Sequence, residues 1–237
     1  MPAILAFDTA TEQMSLALAA RGRVWARDLA GGARASATLI PSLLALLAEA
    51  GVTLRELDAI AFGRGPGAFT GLRTACAVAQ GLAYGAAKPV LAIDTLLAVA
   101  EDARAGRPAL RVWVAMDARI GEIYAAQYAF GADRWQVLDA PQLTTPEVLN
   151  ARWAADAPRL VAGNAIAAFG TRLGTGDAEL APDALPRGAS LIPLAQALWA
   201  DGAAVDAAHA LPLYLRDKVA QTTLERDAAR AAKEAAA

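Results

Sequence analysis

The sequence is poor in residues that bind metals or form cross-links. It has one cysteine, Cys76, and one histidine, His209, among 237 residues. One cysteine excludes an internal disulfide, and this pair cannot supply the ligands of a zinc site. We therefore predict no metal and no other cofactor. We interpret Cys76 as a small buried side chain and His209 as a local hydrogen-bonding residue. Because no G-x-S-x-G elbow is present either, we expect no catalytic residue.

The sequence also lacks an excess of charge of either sign. Acidic residues number 24 and basic residues 22, giving a formal net charge of −2. This balance supplies no counterion-release drive toward a nucleic acid, so contact with RNA would need a partner's basic surface. No uninterrupted apolar run has the length of a membrane-spanning helix, and the first residues lack the basic stretch of a signal peptide. We expect a cytoplasmic protein that does not enter a membrane.

Hydrophobic patterning predicts a chain of alternating strands and helices. In the first part we predict strands at 4–7, 14–20, 24–29, 57–62 and 89–93, and helices at 36–50, 72–87 and 95–104. In the second part we predict two strands that correspond to the first two, further strands at 134–138 and 159–162, and helices at 145–155 and 190–201.

The second part repeats the plan of the first. Residues 114–125 align without a gap on residues 5–16, at a constant offset of 109. Each half has an apolar strand that ends in an aspartate, a short polar loop and a second strand. We predict an α/β fold with mixed sheets flanked by helices, duplicated as lobes at 1–105 and 106–223 with a cleft between them. A flexible or marginally helical tail is expected at 224–237.

The most specific stretch is glycine-rich and lies between a predicted strand and a predicted helix. This signature loop comprises Gly63, Arg64, Gly65, Pro66, Gly67, Ala68, Phe69, Thr70, Gly71, Leu72 and Arg73. Backbone N–H groups in such a place can face an anion or a partner's backbone, but the lysine and hydroxyl residue of a P-loop are missing. In the alternative, structural interpretation, the glycines permit tight turns, Phe69 fills the core and Thr70 caps the helix.

Two predicted helices of the first half are apolar on more than one face. In the helix at 36–50, a leucine stripe extends around the helix, and the helix at 72–87 is uncharged and rich in alanine. A helix with two apolar faces must be covered on both. We predict a partner interface that includes Leu39, Ile40, Leu43, Leu44, Leu47, Ala75 and Ala79. The alternative is that both helices are buried within the monomer, and periodicity does not decide which leucines face outward.

These features together resemble a known family. The signature loop, the opening at 4–11, the segment at 115–124 and the late segment at 212–216 are similar in order and spacing to the bacterial tRNA threonylcarbamoyladenosine biosynthesis family TsaB, also called YeaZ. The resemblance spans nearly the whole chain and implies an actin-like ATPase fold of two ribonuclease-H-like lobes. Two positions depart from the family pattern: Ala68 replaces a usual serine, and Ala35 replaces a frequent histidine.

The resemblance implies a non-catalytic scaffold for threonylcarbamoyl transfer to the adenosine beside the anticodon of tRNA. Its implied partners are the catalytic paralogue TsaD and the ATPase TsaE. The resemblance also implies that the isolated chain forms a homodimer and that it contacts tRNA only within the complex. A metallopeptidase-like enzyme is an alternative that the single histidine disfavours. A small-molecule kinase of the same superfamily is another.

Asp8, Thr9 and Asp117 are the candidate cleft residues. In ATP-using relatives of the superfamily, such strand ends can face metal and phosphate, and two facing carboxylates could share acid–base work. Alternatively, each aspartate accepts N–H groups of its own loop. Because no further ligands accompany them and Glu12 would repel a phosphate, we favour the local interpretation.

Overall fold

The computed structural model describes residues 1–216, which form two five-stranded sheets. The strands are β1 (Ile4–Asp8), β2 (Gln13–Ala20), β3 (Arg23–Ala30), β4 (Ala59–Gly65), β5 (Val90–Asp94), β6 (Leu110–Asp117), β7 (Ile123–Gly131), β8 (Arg134–Thr144), β9 (Leu160–Ala162) and β10 (Glu179–Ala181). The helices are α1 (Ala35–Ala50), α2 (Phe69–Ala86), α3 (Thr95–Arg104), α4 (Pro146–Ala155), α5 (Ala165–Phe169) and α6 (Gly188–Ala200). The predicted tail at 224–237 lies outside the described residues.

The two sheets share one topology. The first has the order β3-β2-β1-β4-β5 and the second the order β8-β7-β6-β9-β10. In each, the first three strands along the chain pair antiparallel and the last two join in parallel. Asp8 and Asp117 are the last residues of the equivalent strands β1 and β6. The predicted duplicated α/β fold with mixed sheets is confirmed.

Helices cover both faces of the first sheet. Because successive side chains of a strand point to opposite faces, Leu5 and Phe7 pack with α1 and α2, whereas Ile4 and Ala6 pack with α3 and α6. All four side chains are fully buried. The first sheet is therefore the central layer of a three-layer arrangement.

Helix α3 joins the cores of the two halves. Its Ala98 belongs to the apolar cluster of the first sheet, and its Leu96 and Val99 pack with Val114 and Tyr128 of the second sheet. Helices α4 and α5 cover the other face of the second sheet. The halves are thus packed together around α3.

Helix α6 lies later in the chain but packs against the first sheet. Its Leu191 and Ala195 are buried with Ile4 and Ala6. A Cβ at Gly188, where the helix begins, would lie 2.1 Å from the Leu16 carbonyl oxygen. The predicted boundary near residue 105 lies between β5 and β6, which belong to different sheets, while helix α6 returns to the first sheet.

Helix α1 is long and apolar, and it ends at the predicted residue. Together with the preceding turn, residues 32–50 are long and apolar enough to cross a membrane by length and composition alone. In this fold, Leu43 and Leu46 on its inner side pack against the first sheet. Gly51 ends the helix with a φ of 64°, a left-handed conformation that favours glycine.

Candidate functional site

A cavity of about 250 Å³ lies between the ends of the two sheets. The first half contributes Ala10, Thr11, Glu12, Pro66, Gly67, Ala68, Phe69 and Thr95, and the second half contributes Met116, Asp117, Ala118, Arg119, Ile120, Tyr124, Asn164 and Arg216. This cavity is the predicted cleft. Of the candidate cleft residues, Asp117 lines it, whereas Asp8 and Thr9 do not.

Asp8 is buried beneath the cleft floor. Its Oδ1 accepts the Ala10 N–H at 2.6 Å, and its Oδ2 accepts the Thr95 hydroxyl at 2.7 Å. Burial raises the pKa of Asp8 from 3.8 to about 6, although both hydrogen bonds act to lower it. A Cβ at Gly63 would lie 1.8 Å from Asp8 Oδ2, so the glycine makes room for this carboxylate. Asp8 therefore fixes local structure and does not face the cleft.

Asp117 makes the equivalent local bond in the second half. Its Oδ1 accepts the N–H of Arg119, two residues on, as Asp8 does from Ala10. Its own N–H donates to Asn164 Oδ1 at 2.8 Å, and its Oδ2 lies 3.4 Å from the Arg119 guanidinium. Both aspartates thus bind their own loops, which agrees with the local interpretation.

The signature loop lies directly against the first β-hairpin loop. The Ala68 N–H donates to the Ala10 carbonyl at 2.9 Å, and the Thr9 hydroxyl donates to the Gly71 carbonyl at 2.7 Å. A Cβ at Gly71 would lie 1.8 Å from the Thr9 carbonyl oxygen. Close backbone contact therefore explains glycine at this position, as the structural interpretation expects.

Two details of that interpretation are wrong. Helix α2 begins at Phe69, three residues earlier than predicted, and Thr70 is exposed within its first turn instead of capping it. Phe69 does not fill the core. Its half-buried ring lines the cleft and stacks on Tyr214, with ring centroids 5.1 Å apart.

The two arginines of the signature loop are held by neighbouring side chains. Arg64 Nε donates to Asp94 Oδ1 at 2.5 Å, and Arg73 Nε donates to the Tyr214 hydroxyl at 3.3 Å. Thr95, which binds Asp8, also accepts the Gly65 N–H at 3.2 Å. The loop is thus tied to β5, to the start of α3 and to the end of the described chain.

The late segment at 212–216 reaches the site, and our residue candidates did not include it. Its Arg216 donates to the Ala118 carbonyl at 3.0 Å and pairs with Glu122 at 2.7 Å. Arg119 was also missed, and Glu12 was considered only as a charge that repels phosphate, although the two form an ion pair of 3.2 Å across the cleft mouth. The similarity of 212–216 to a known family was the available signal, but sequence spacing does not show where a late segment returns.

The predicted partner interface needs a correction. The structure buries Leu39, Leu43, Leu47, Ala75 and Ala79 in the monomer core, because these positions of α1 and α2 face the first sheet. Ile40 and Leu44 face outward, with 43% and 48% of their surface exposed. Only these two of the seven proposed residues could meet a partner.

The described part of the chain has few side chains that could bind a metal ion or act as a nucleophile. Within residues 1–216, no three histidine, cysteine, aspartate or glutamate side chains cluster in a way that could hold a metal ion. Cys76 is buried, and its thiol donates to the Ala210 carbonyl. A metal-dependent peptidase therefore has no ligand set in this region.

Comparisons with known proteins agree with this architecture. The family model for "TsaD: tRNA N6-adenosine threonylcarbamoyltransferase" matches residues 33–223. The Escherichia coli (strain K12) tRNA threonylcarbamoyladenosine biosynthesis protein TsaB is 34% identical over 221 residues, which cover 92% of this chain and 96% of that protein. The Haemophilus influenzae protein of the same name is 34% identical over 226 residues, covering 91% and 94%.

A solved structure extends the similarity to three dimensions. YeaZ from Pseudomonas aeruginosa superposes with a TM-score of 0.83 at 38% identity, covering 91% of this chain and 100% of that chain. The match includes both sheets, because so little of either chain is left out. The chain therefore belongs to the TsaB (YeaZ) family of tRNA threonylcarbamoyladenosine biosynthesis proteins.

Proposed function

We propose that the protein is a non-catalytic subunit that supports threonylcarbamoyl transfer to the adenosine beside the anticodon of tRNA. In this proposal it pairs with the catalytic paralogue TsaD, the ATPase TsaE joins the complex, and tRNA is met only there. Its place of action would be the cytoplasm. The observation that carries the proposal is the largely apolar outer surface of α1 and α2.

This surface, here called the outer face, consists of exposed residues at helical spacing. On α1 they are Ala37, Ile40, Pro41, Leu44, Ala45 and Ala48, and on α2 they are Ala77, Gly81, Tyr84 and Gly85. The exposed charged residues of the two helices, Glu49 and Arg73, lie outside this set and bind Arg27 and Tyr214. Tyr84 is 86% exposed. Aromatic and aliphatic groups without charges are typical of the centre of a protein interface.

An open groove continues the outer face along α2. It has a volume of about 1020 Å³ and lies between α2 and residues 204–208. Gln80 and Tyr84 of α2 line it, together with Lys88, which follows the end of the helix. The groove supports docking of a protein partner, since it offers a concave surface beside the exposed Tyr84.

The cleft supports the non-catalytic part of the proposal. Glu12 carries a carboxylate at its mouth, and the Thr9 hydroxyl and Ala10 carbonyl already bind the signature loop. The two equivalent aspartates bind their own loops. These groups are therefore engaged in local structure, which supports the proposal that the cleft carries out no acid–base or phosphate chemistry.

The proposal is tested by reconstituting tRNA modification with the purified catalytic paralogue and ATPase from the same organism. Omission of this chain should abolish incorporation of labelled threonine into tRNA, and this chain alone should show none. Leu44→Glu should weaken binding to the paralogue at least tenfold. The reason is that loss of a buried leucine removes about 1.5–3 kcal/mol and the carboxylate adds a desolvation cost.

Leu138→Glu is the matched control, because Leu138 is 46% exposed, close to the 48% of Leu44, but lies on β8 away from the outer face. Both variants should keep the circular dichroism spectrum and melting temperature of the parent. We expect Leu44→Glu also to convert the isolated homodimer to monomers in ultracentrifugation. Unchanged pairing and modification with Leu44→Glu would exclude the outer face as the interface.

A further inference from the structure

The last described residues, 210–216, form an extended segment that we call the strap. It leaves a 3₁₀ turn at Ala207–His209 and has neither helix nor strand structure. Residues 212–216 share in the family resemblance, but that resemblance assigns them no role. Its contacts, however, run from the first half of the molecule to the second across the cleft mouth.

The strap begins with backbone contacts to the first half. The Ala210 carbonyl accepts the Cys76 thiol at 3.1 Å and the Gln80 side-chain amide at 2.9 Å. The Leu213 N–H donates to the Arg64 carbonyl at 2.7 Å. These bonds attach the strap to α2 and to the signature loop.

Tyr214 adds an aromatic contact at the cleft mouth. Its ring lies 5.1 Å from that of Phe69 and is inclined by 15°, so the rings stack. The Arg73 guanidinium lies 5.7 Å from the Phe69 ring centre, and its Nε donates to the Tyr214 hydroxyl. Tyr214 is thereby held on the first half.

The next two residues bind the second half. Leu215 packs on the apolar cluster that contains Met116 and Tyr124. The Arg216 guanidinium donates to the Ala118 carbonyl and pairs with Glu122, and its side chain is only 12% exposed. Three consecutive residues thus connect the two sides of the cleft.

The strap holds a turn whose backbone is strained. Arg119, Ile120 and Gly121 have φ values of 64°, 55° and 76°, and a β-branched residue rarely adopts such a conformation. Ile120 is 82% exposed, so packing of its side chain does little to offset this cost. The Arg216 guanidinium donates to the carbonyl of Ala118, the residue before this turn, and therefore stabilises the turn from inside the cleft.

The other polar contact described across the cleft mouth is weaker. The Glu12–Arg119 ion pair has side chains that are 79% and 70% exposed, and exposed pairs contribute little to stability. The shared core around α3 joins the halves on the far side of the cleft. The strap is therefore the main contact that opposes opening at the mouth.

We propose that the strap locks the two halves in one arrangement without any ligand in the cleft, with Tyr214 and Arg216 as its positioning residues. The outer face on α1 and α2 then keeps a constant distance and orientation relative to the second half. A scaffold needs its binding surfaces to be held in a fixed arrangement. The locking itself requires neither the partner nor tRNA.

The test measures the distance across the cleft in the full chain by pulsed electron paramagnetic resonance. Spin labels are placed at Thr70→Cys and Ala167→Cys, two exposed positions on opposite sides of the cleft. Burial raises the pKa of the Cys76 thiol, so the native cysteine should label poorly, and the chain without added cysteines provides the blank. Dilution with unlabelled chain removes distances between copies.

We expect one narrow distance distribution in the parent, and a longer, broader one in the Tyr214→Ala, Arg216→Ala double variant. Amide exchange of Glu122, whose N–H donates within the turn, should accelerate about tenfold, equivalent to about 1.4 kcal/mol. Tyr214→Phe keeps the stacked ring and should retain the parent distribution. Leu211→Ala is the matched control, because Leu211 lies in the strap but is 66% exposed.

A folded double variant with the parent's distance distribution would overturn the proposal. If the double variant does not fold, the single variant Arg216→Gln decides, since it keeps Tyr214 and removes the charge pair with Glu122. Unchanged turn exchange in that variant would equally contradict the strap. These readouts use the isolated chain, so they remain informative if the proposed pairing with the paralogue is wrong.

Discussion

Single residues at the site act mainly by allowing or preventing close contact. Gly63 makes room for the Asp8 carboxylate, and Gly71 makes room for the Thr9 carbonyl. Asp8 in turn accepts bonds from Ala10 and Thr95, and Thr95 accepts the Gly65 N–H. The signature loop is thus specific because several backbone segments meet at one point.

Gly71→Ala should therefore destabilise the protein strongly. The added Cβ would lie 1.8 Å from backbone, and backbone cannot easily move aside, so we expect a loss of about 2 kcal/mol or more in the free energy of unfolding. Gly81→Ala is the matched control in the same helix, because its Cβ meets nothing within 4 Å. It should stabilise the helix by up to about 1 kcal/mol. Equal effects of the two variants in urea unfolding would contradict this explanation.

Asp8 should give stability a distinctive pH dependence. Its pKa rises from 3.8 to about 6 on folding, so the folded state takes up the proton first as pH falls. The stability that Asp8 contributes is present in full below pH 3.8 and is lost as pH rises through 6. The loss is about 3 kcal/mol for a shift of this size.

Asp8→Asn removes this titration. The free energy of unfolding of the parent minus that of Asp8→Asn should decrease by about 2 kcal/mol between pH 4 and pH 7, because part of the effect already develops below pH 4. Urea unfolding followed by circular dichroism at several pH values measures it. A difference that does not vary with pH would show that Asp8 titrates normally in the folded state.

At the scale of elements, α1 and α2 each combine two apolar faces with different roles. The inner faces fill the core beneath the first sheet, and the outer face stays exposed in the monomer. The inner and outer faces have similar residue types, because alanine and leucine are suited both to a core and to a protein interface. An alanine-rich surface also lets another helix approach closely.

Neighbouring leucines of α1 should respond very differently to truncation. Leu43 is 1% exposed, so Leu43→Ala should lower the free energy of unfolding by about 2–5 kcal/mol. Leu44 is 48% exposed, and Leu44→Ala should change it by less than about 0.5 kcal/mol in a monomeric sample. Thermal melting at low protein concentration compares the two. Similar losses would mean that α1 is buried on both faces.

At the scale of the whole molecule, charge balance limits what the protein can bind alone. A net charge of −2 over 237 residues gives no overall electrostatic attraction to an RNA backbone. In the described part of the chain, many arginines are paired with carboxylates, including Arg27, Arg107, Arg111 and Arg152. Such pairing further reduces the positive charge available to RNA.

The isolated chain should therefore bind tRNA weakly, with no retention in a filter assay at physiological salt. Binding should appear when the catalytic paralogue is added. Leu44→Glu is the control. If tRNA binding depends on pairing with the paralogue, this variant should abolish the tRNA retention seen with the mixture. Tight, salt-resistant binding by the chain alone would contradict a role restricted to the complex.

The sequence by itself determined the repeated plan. Alternating apolar runs and the constant offset of 109 predicted both sheets and placed Asp8 and Asp117 at equivalent strand ends. Such features are local, because strand periodicity and turn residues act over a few neighbours. Short elements such as β10 and α5 escaped prediction because three to five residues carry too little periodicity.

Only the tertiary structure decided which faces and which distant segments meet. Leu43 and Leu44 are chemically identical, and the position of the first sheet alone makes one core and the other surface. Likewise, Arg216 is 98 residues from Ala118 along the chain, and no local pattern predicts their hydrogen bond. Long-range contacts depend on how complete elements pack, so the outward face of α1, the return of α6 and the strap could be found only in the folded molecule.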